Sequence, residues 1–256
     1  MGDSSSDPNS HPSFRAPADP NATIWRYMDF AKFTWMILEH RLFMPRCSVL
    51  AKGDPFEAST PIARYNRMRR HAEEAPTPQH RQIVLDNIQK LSGISTQWKL
   101  GYFVSCWYLS DYESDAMWKL YGGSNNCLAI RSTFARLKAS LPPHVYLGQV
   151  SYINYEMQDF PSLNMFQNVV HKRRAFEHER EVRAVAWQLF EDKEDISANS
   201  DDLGYFPVVD IEGLIQCVYV HPLAEDWFLR AVNKTIRIAG HGLPVHRSEM
   251  AAVPVF

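Results

Sequence analysis

The chain has no C-x-x-C pair, no H-E-x-x-H run and no Gly-rich turn after an early strand. The first two absences argue against a zinc knuckle and against a metalloprotease-type helix. The third argues against a doubly wound dinucleotide fold. The four cysteines, Cys47, Cys106, Cys127 and Cys217, are too scattered for a disulfide scaffold in 256 residues. Cys106, Cys127 and Cys217 lie in apolar runs, which predicts buried free thiols. No stretch approaches the ~20 apolar residues of a membrane-spanning helix. The 27 basic and 29 acidic residues leave a formal net charge of −2, so no broad basic face announces a nucleic-acid surface. No repeat is visible. No secretory signal is read at the start: MGDSSSDPNSHPSF is polar and rich in Pro and Ser, and residues 1–23 are expected to form a disordered leader. These features predict a cytoplasmic protein with no membrane partner.

What is present is a large apolar supply. Hydrophobic residues make up 45 % of the chain, with seven Trp, eleven Tyr and fourteen Phe, enough to fill a core and line a pocket. One large domain over residues 24–256 is expected. IWRYM reads as a short strand, followed by a helix that Asp29 caps and that places Phe30, Phe33 and Ile37 on one face. Thr60-Pro61 has the form of a cap and a first-turn proline. It opens a helical insert at about residues 60–92, which carries Arg67, Arg69 and Arg70 and then Ile83, Val84, Ile88 and Leu91. YFVSCW, CLAIR, Val145–Tyr155, Glu181–Gln188 and CVYV read as strands, and LPVHRSE as a last edge strand. Helices are expected in DYESDAMWKLYGG, with Met117, Trp118 and Tyr121 inside and glycine at its end, from Ser132 or Thr133 to SLPPHV, over Phe160–Arg174 and over Ala224–Val232, with a charged loop at 191–204. Irregular interleaving of this kind predicts an α+β fold: a single mixed or antiparallel central sheet with flanking helices.

The densest charge is in KRRAFEHEREVRAVAWQ, residues 172–188. Glu177, Glu179 and Glu181 are two apart, which splays them around a helix but aligns them on one face of a strand. From Glu181 onward both faces of the strand become apolar, so it is central, and Glu181 and Arg183 enter it from the rim. Two readings are open: a salt-bridge cluster closing a helix-to-strand corner, or a carboxylate site at the sheet's mouth. Arg26 is placed in a strand where it can grip carboxylate or phosphate, or can be a plain edge arginine. Asp54 and Glu57 lie on a G-D-P-F-E turn, as backbone-bonding turn acids or, with Glu181, as metal ligands of a hydrolase or nuclease. Ser132 and Thr133 stand where a strand feeds a helix, as caps or as anion binders. A nucleophilic Cys106 would need a base, with His171, His178 and His221 the nearest in character. The scattered histidines predict no metal centre.

WRYMDFAKF, GDPFE, FVSCWYLSDYESDAMWKLYG, LAIRSTFARL, VSYINY and KRRAFEHEREVRA, spread over residues 24–232, together resemble a bacterial family of uncharacterised proteins, the DUF2971 family. The order Arg26, Ser132-Thr133, Glu179-x-Glu181 is also similar to the R–S–E signature of ADP-ribosyltransferases. That likeness implies an ADP-ribosyltransferase-like fold and an NAD-dependent transferase or NAD glycohydrolase. In it Arg26, Ser132 and Thr133 hold NAD, Glu181 stabilises oxocarbenium character, and Glu179 orients an acceptor, protein or nucleic acid. Phe134 stands where a full S-T-S triplet has serine. The competing reading is a regulatory or defence-associated binding protein whose arginine-rich helix contacts nucleic acid or an acidic partner, with the charged motifs as structural corners. The enzymatic reading requires Arg26, Ser132 and Glu181 to converge on one cleft.

Overall fold

The computed structural model describes residues 11–162, 164–188, 196, 199–252 and 254. The chain runs through β1 (Thr23–Asp29), α1 (Phe30–Glu39), β2 (Met44–Pro45), α2 (Cys47–Leu50), α3 (Ile62–Glu73), α4 (Pro78–Gly101), β3 (Tyr102–Leu109) and α5 (Asp115–Tyr121). It continues through β4 (Cys127–Thr133), α6 (Phe134–Ser140), β5 (Tyr146–Gln149), β6 (Ser151–Ile153), α7 (Gln167–Val170), β7 (His171–Arg173), a 3₁₀ turn (Arg174–Glu179) and β8 (Glu181–Trp187). Last come β9 (Gly204–Tyr205), α8 (Ile211–Leu214), β10 (Cys217–Val220), α9 (Asp226–Ile238) and β11 (Val245–Arg247). The fold is α+β, with a mixed, mainly antiparallel sheet of seven strands in the order β11-β10-β4-β1-β3-β8-β5 and flanking helices. Two small sheets, β2-β9 and β6-β7, lie beside it.

One face of the large sheet builds the main core. Ile24, Met28, Phe103, Trp107, Ile130, Val182, Ala184 and Val218 meet Phe33 and Ile37 of α1 and Phe228, Val232 and Ile236 of α9. The other face carries two smaller clusters, one around Tyr102, Val104, Phe166 and Val185 and one around Trp25, Tyr27, Trp118 and Tyr219. Asp29 caps α1 by accepting from the backbone N–H of Lys32 at 2.8 Å, as its position before a helical stripe predicts.

One irregularity in the sheet positions the site. β1 stays in register with β4 from Thr23↔Thr133 to Asp29↔Cys127, and β3 with β8 from Tyr108↔Glu181 to Tyr102↔Trp187. Between β1 and β3, however, pairing stops after Ile24↔Leu109 and Trp25↔Tyr108. Farther along, Phe103 bridges to Arg46 instead. The sheet is therefore split over most of the β1–β3 seam.

Several expectations change. The leader is not wholly disordered: Phe14 is buried among Tyr146 and Phe166, and Arg15 bridges to Gln149 at the sheet's edge, so this part of the leader packs against the body. Residues 1–10 lie outside the described residues. Phe14 is held because its ring stacks on Tyr146 and its backbone closes on Gly148, where a Cβ would come 2.7 Å from the Phe14 Cα. The helical insert is longer than expected, because α4 runs to Gly101 and feeds directly into β3. Thr60 does not cap α3; its hydroxyl accepts from the Asn168 amide at 3.2 Å. Among the described residues, only Gln167–Val170 of the helix expected over 160–174 is α-helical. Asp159, Ser162 and Asn164 bond backbone N–H groups one or two residues on, offering that stretch an alternative to helix. The strand expected over 145–155 divides into β5 and β6, in different sheets. Of the charged loop, residues 191–195, 197 and 198 lie outside the described residues.

Candidate active site

A cavity of about 820 Å³ occupies the split between β1 and β3. Four consecutive residues of β1, Trp25 to Met28, line it, as do four of β3, Val104 and Cys106 to Tyr108. Neighbouring residues of a strand point to opposite faces, so a cavity touching both sets lies against the strands' open edges. The segment after α1 closes one side with Phe43, Pro45, Val49 and Leu50. Trp35 and Met36 of α1, Tyr121 of α5 and Phe176 of the 3₁₀ turn add to a wall that mixes aromatic, aliphatic and charged side chains.

A chain of buried charges lies along the β8 side. Lys172 bonds Glu179 and also Glu181, the latter at 3.2 Å. The second oxygen of Glu181 accepts from Arg183 Nε at 2.5 Å. Arg183 in turn grips both oxygens of Glu57, at 2.5 and 3.0 Å, and donates to the Val169 carbonyl at 2.9 Å. Arg183 is 1 % exposed and Glu57 3 %, so this bidentate pair is almost fully desolvated. Arg173 pairs with Asp54 at 2.6 Å. The Tyr121 hydroxyl donates to Glu179 at 3.0 Å, and the Tyr152 hydroxyl accepts from the Glu181 backbone N–H at 2.8 Å. Local sequence explains the assembly. Arg180 adopts the left-handed conformation (φ 38°) at the end of the 3₁₀ turn, which swings the chain into β8. Glu181 and Arg183 then share a strand face.

The two glutamates differ electrostatically. Burial alone would raise Glu181, but Arg183 and Lys172 together pull its carboxyl down to about 2. Burial raises Glu179, the charge on Glu181 raises it further, and Lys172 opposes only part of this. One carboxylate is thus held ionised while its neighbour holds a proton more readily. Such a pair titrates as a unit. Burial pushes the Cys106 thiol up to about 12, so it is protonated and a poor nucleophile at neutral pH.

Arg26, Glu179 and Glu181 all line this cavity. Arg26 reaches it from the opposite sheet face to Glu181, because Trp25, one position earlier, shares the row Trp25–Tyr108–Glu181. Its guanidinium donates to the Phe43 carbonyl at 2.9 Å and lies 5.8 Å from the Trp107 ring centre. Among the described residues no carboxylate pairs with it. Surrounded by protein, it is lowered to about 10 by desolvation, yet it keeps partial exposure where the cavity meets it. Ser132 and Thr133 do not line this cavity. Ser132 is fully buried and donates to the Leu214 carbonyl at 2.5 Å, and Thr133 caps α6 by accepting from Arg136 N at 3.2 Å. They serve the β4–α6 junction because β4 stands on the far side of β1 from the split.

Asp54, Glu57 and Glu181 are each bonded to a guanidinium, and among the described residues no group of three or more His, Cys, Asp or Glu could hold a metal ion. Lys172, Tyr121 and the Glu57–Arg183 bond were not found by sequence reasoning. The spacing of Lys172, Glu179, Glu181 and Arg183 within one charged run was the available signal for the first. Nothing local links Glu57 to Arg183 across 126 residues. No protein-family model, no curated protein and no solved structure matches the chain.

Proposed function

We propose that the split between β1 and β3 binds NAD and that the chain breaks its nicotinamide–ribose bond, passing ADP-ribose to water or to an acceptor macromolecule. The observation that carries this reading is that one cavity, with aromatic side chains in its wall, collects Arg26, which has no carboxylate partner among the described residues, and a carboxylate pair, Glu179 and Glu181. Its volume of about 820 Å³ is within the range of small-molecule and cofactor sites. Arg26 supplies positive charge for the pyrophosphate. Ionised Glu181 stabilises the positive charge that develops on the anomeric carbon as the C–N bond breaks and its electron pair returns to the nicotinamide ring. A water or acceptor hydroxyl forms the new C–O bond, and Glu179 takes the proton it releases. Ser132 and Thr133 have no part in this scheme, which departs there from the motif order of ADP-ribosyltransferases.

The test is nicotinamide release from NAD by the purified protein, followed by chromatography. Glu181→Gln, with its fold verified by circular dichroism, is expected to lower release by about 10²-fold or more. No release with NAD alone, with lysate or with nucleic acid as acceptor would refute the reading.

A second reading has its own observation. The α3–α4 hairpin carries Arg64, Arg67, Arg69, Arg70, Arg81, Lys90 and Lys99 against Glu73, Glu74 and Asp86; Arg64 and Arg67 pair with Asp159, and Arg69, Arg70 and Arg81 are exposed. A non-enzymatic regulatory or defence-associated protein would use this basic arm on an acidic partner. Binding of RNA or DNA that weakens steeply with salt and is lost in Arg69→Glu/Arg70→Glu supports it; absence of binding at low salt removes the nucleic-acid version.

A further inference from the structure

We infer that Lys172 is a positioning residue for the Glu179–Glu181 pair, holding Glu179 in the ionised form beside its charged neighbour. Its kinetic consequence rests on the glycosidic reading above; its effect on titration does not.

The geometry is specific. The Lys172 ammonium, 7 % exposed, bonds Glu179 and Glu181 at once. β7, which carries it, belongs to a separate two-stranded sheet with β6, in which Tyr152 pairs with Lys172. Tyr152 bonds the Glu181 backbone from the same row. This small sheet therefore delivers two contacts to the pair, one to the carboxylates and one to the strand that holds Glu181. The aromatic ring of Phe176, with its centre 4.5 Å from the ammonium, covers Lys172.

The charge arrangement makes Lys172 decisive. Four buried carboxylates, Asp54, Glu57, Glu179 and Glu181, share three cations. Arg173 is engaged by Asp54, and Arg183 by Glu57 and Glu181, which leaves Lys172 as the cation in contact with Glu179. The other groups facing Glu179 are Tyr121 from α5 and Glu181 from β8. Behind Glu181 stand Arg183, Cys106 of β3, Tyr152 of β6 and Glu57. Without Lys172, Glu179 faces an ionised neighbour with no cation of its own and must hold its proton to higher pH.

Carbon-13 NMR titration of labelled glutamate carboxyls, on the full chain, reads this without requiring turnover. In Lys172→Met the Glu179 midpoint is expected to rise by about one unit or more, and Lys172→Arg, which keeps the charge, is expected to return it most of the way. In the wild type the nitrogen-15 shift of Lys172 Nζ is expected to move at the Glu179 midpoint, so the idea stays testable if the methionine variant does not fold. For nicotinamide release, the acid limb of the kcat profile is expected to move up with the Glu179 midpoint in Lys172→Met, with KM changing less than kcat. An unchanged Glu179 midpoint in Lys172→Met, or a Lys172 nitrogen insensitive to it, overturns the assignment. Coupled titration in a protein that releases no nicotinamide would uphold Lys172 and defeat the NAD reading alone.

Discussion

Glu57→Gln isolates the most deeply buried ion pair among the described residues. The substitution keeps side-chain volume but removes the charge that Arg183 grips at 2.5 and 3.0 Å. Removing one partner of a buried pair costs about 3–5 kcal/mol, because the other charge is left desolvated and uncompensated. Arg183 here retains Glu181 and the Val169 carbonyl, which places the expected loss at the lower end, about 3 kcal/mol. At roughly 2–4 °C per kcal/mol for a chain of this size, the melting temperature falls by roughly 6–12 °C. Thermal and urea unfolding of wild type, Glu57→Gln, Arg183→Met and the double variant measure it. The double variant is expected to lose less than the two single losses combined, with a coupling of about 1 kcal/mol or more. A Glu57→Gln loss below about 1 kcal/mol, or strict additivity, would refute the claim that this pair is desolvated and engaged.

Stability is expected to peak on the acid side of neutrality. Glu179 is raised, so as pH falls through its folded pKa the native state gains a proton before the unfolded state does, and stability rises. Glu181 is held at about 2 against an ordinary 4.5, so its contribution, full above 4.5, is lost as pH falls from there toward 2. Denaturant midpoints against pH should show both slopes, and Glu179→Gln should flatten only the upper one. Cys106, with its thiol at about 12, is expected to resist iodoacetamide at pH 8 in the folded protein and to react on unfolding, which peptide mapping detects. Ser132→Ala removes the bond to the Leu214 carbonyl and should cost about 1–2 kcal/mol in unfolding while leaving nicotinamide release unchanged; a selective loss of release would restore Ser132 to the site.

Much of the framework is legible in local pattern. Alternating and continuous apolar runs mark β1, β3, β4, β8 and β10, and Asp29 marks the start of α1, because burial of a strand or helix face imposes its period on the sequence. The corner at Glu181 is legible too, since charge gives way there to an apolar strand with Glu181 and Arg183 on one face. Short polar stretches are less legible. At Asp159–Asn164 side-chain-to-backbone bonds outweigh the apolar spacing that suggested a helix. The leader's Phe14 reads as part of a polar tail because its partners Tyr146 and Phe166 are more than a hundred residues away.

The sequence by itself determined that Glu181 and Arg183 carry charge into the central strand and that they share one of its faces. Only the tertiary structure decided what surrounds them. The split between β1 and β3 follows from where pairing stops, a property of two strands separated by α1–α4 that neither strand encodes alone. The same split lets Arg26 meet the cavity from the face opposite Glu181, and it leaves Ser132 and Thr133 beyond β1 as parts of the β4–α6 junction. Glu57 reaches Arg183, and Lys172 reaches both glutamates, because separate elements pack against one sheet face. A charge buried there needs a partner, and the chain supplies it from wherever the fold brings one close.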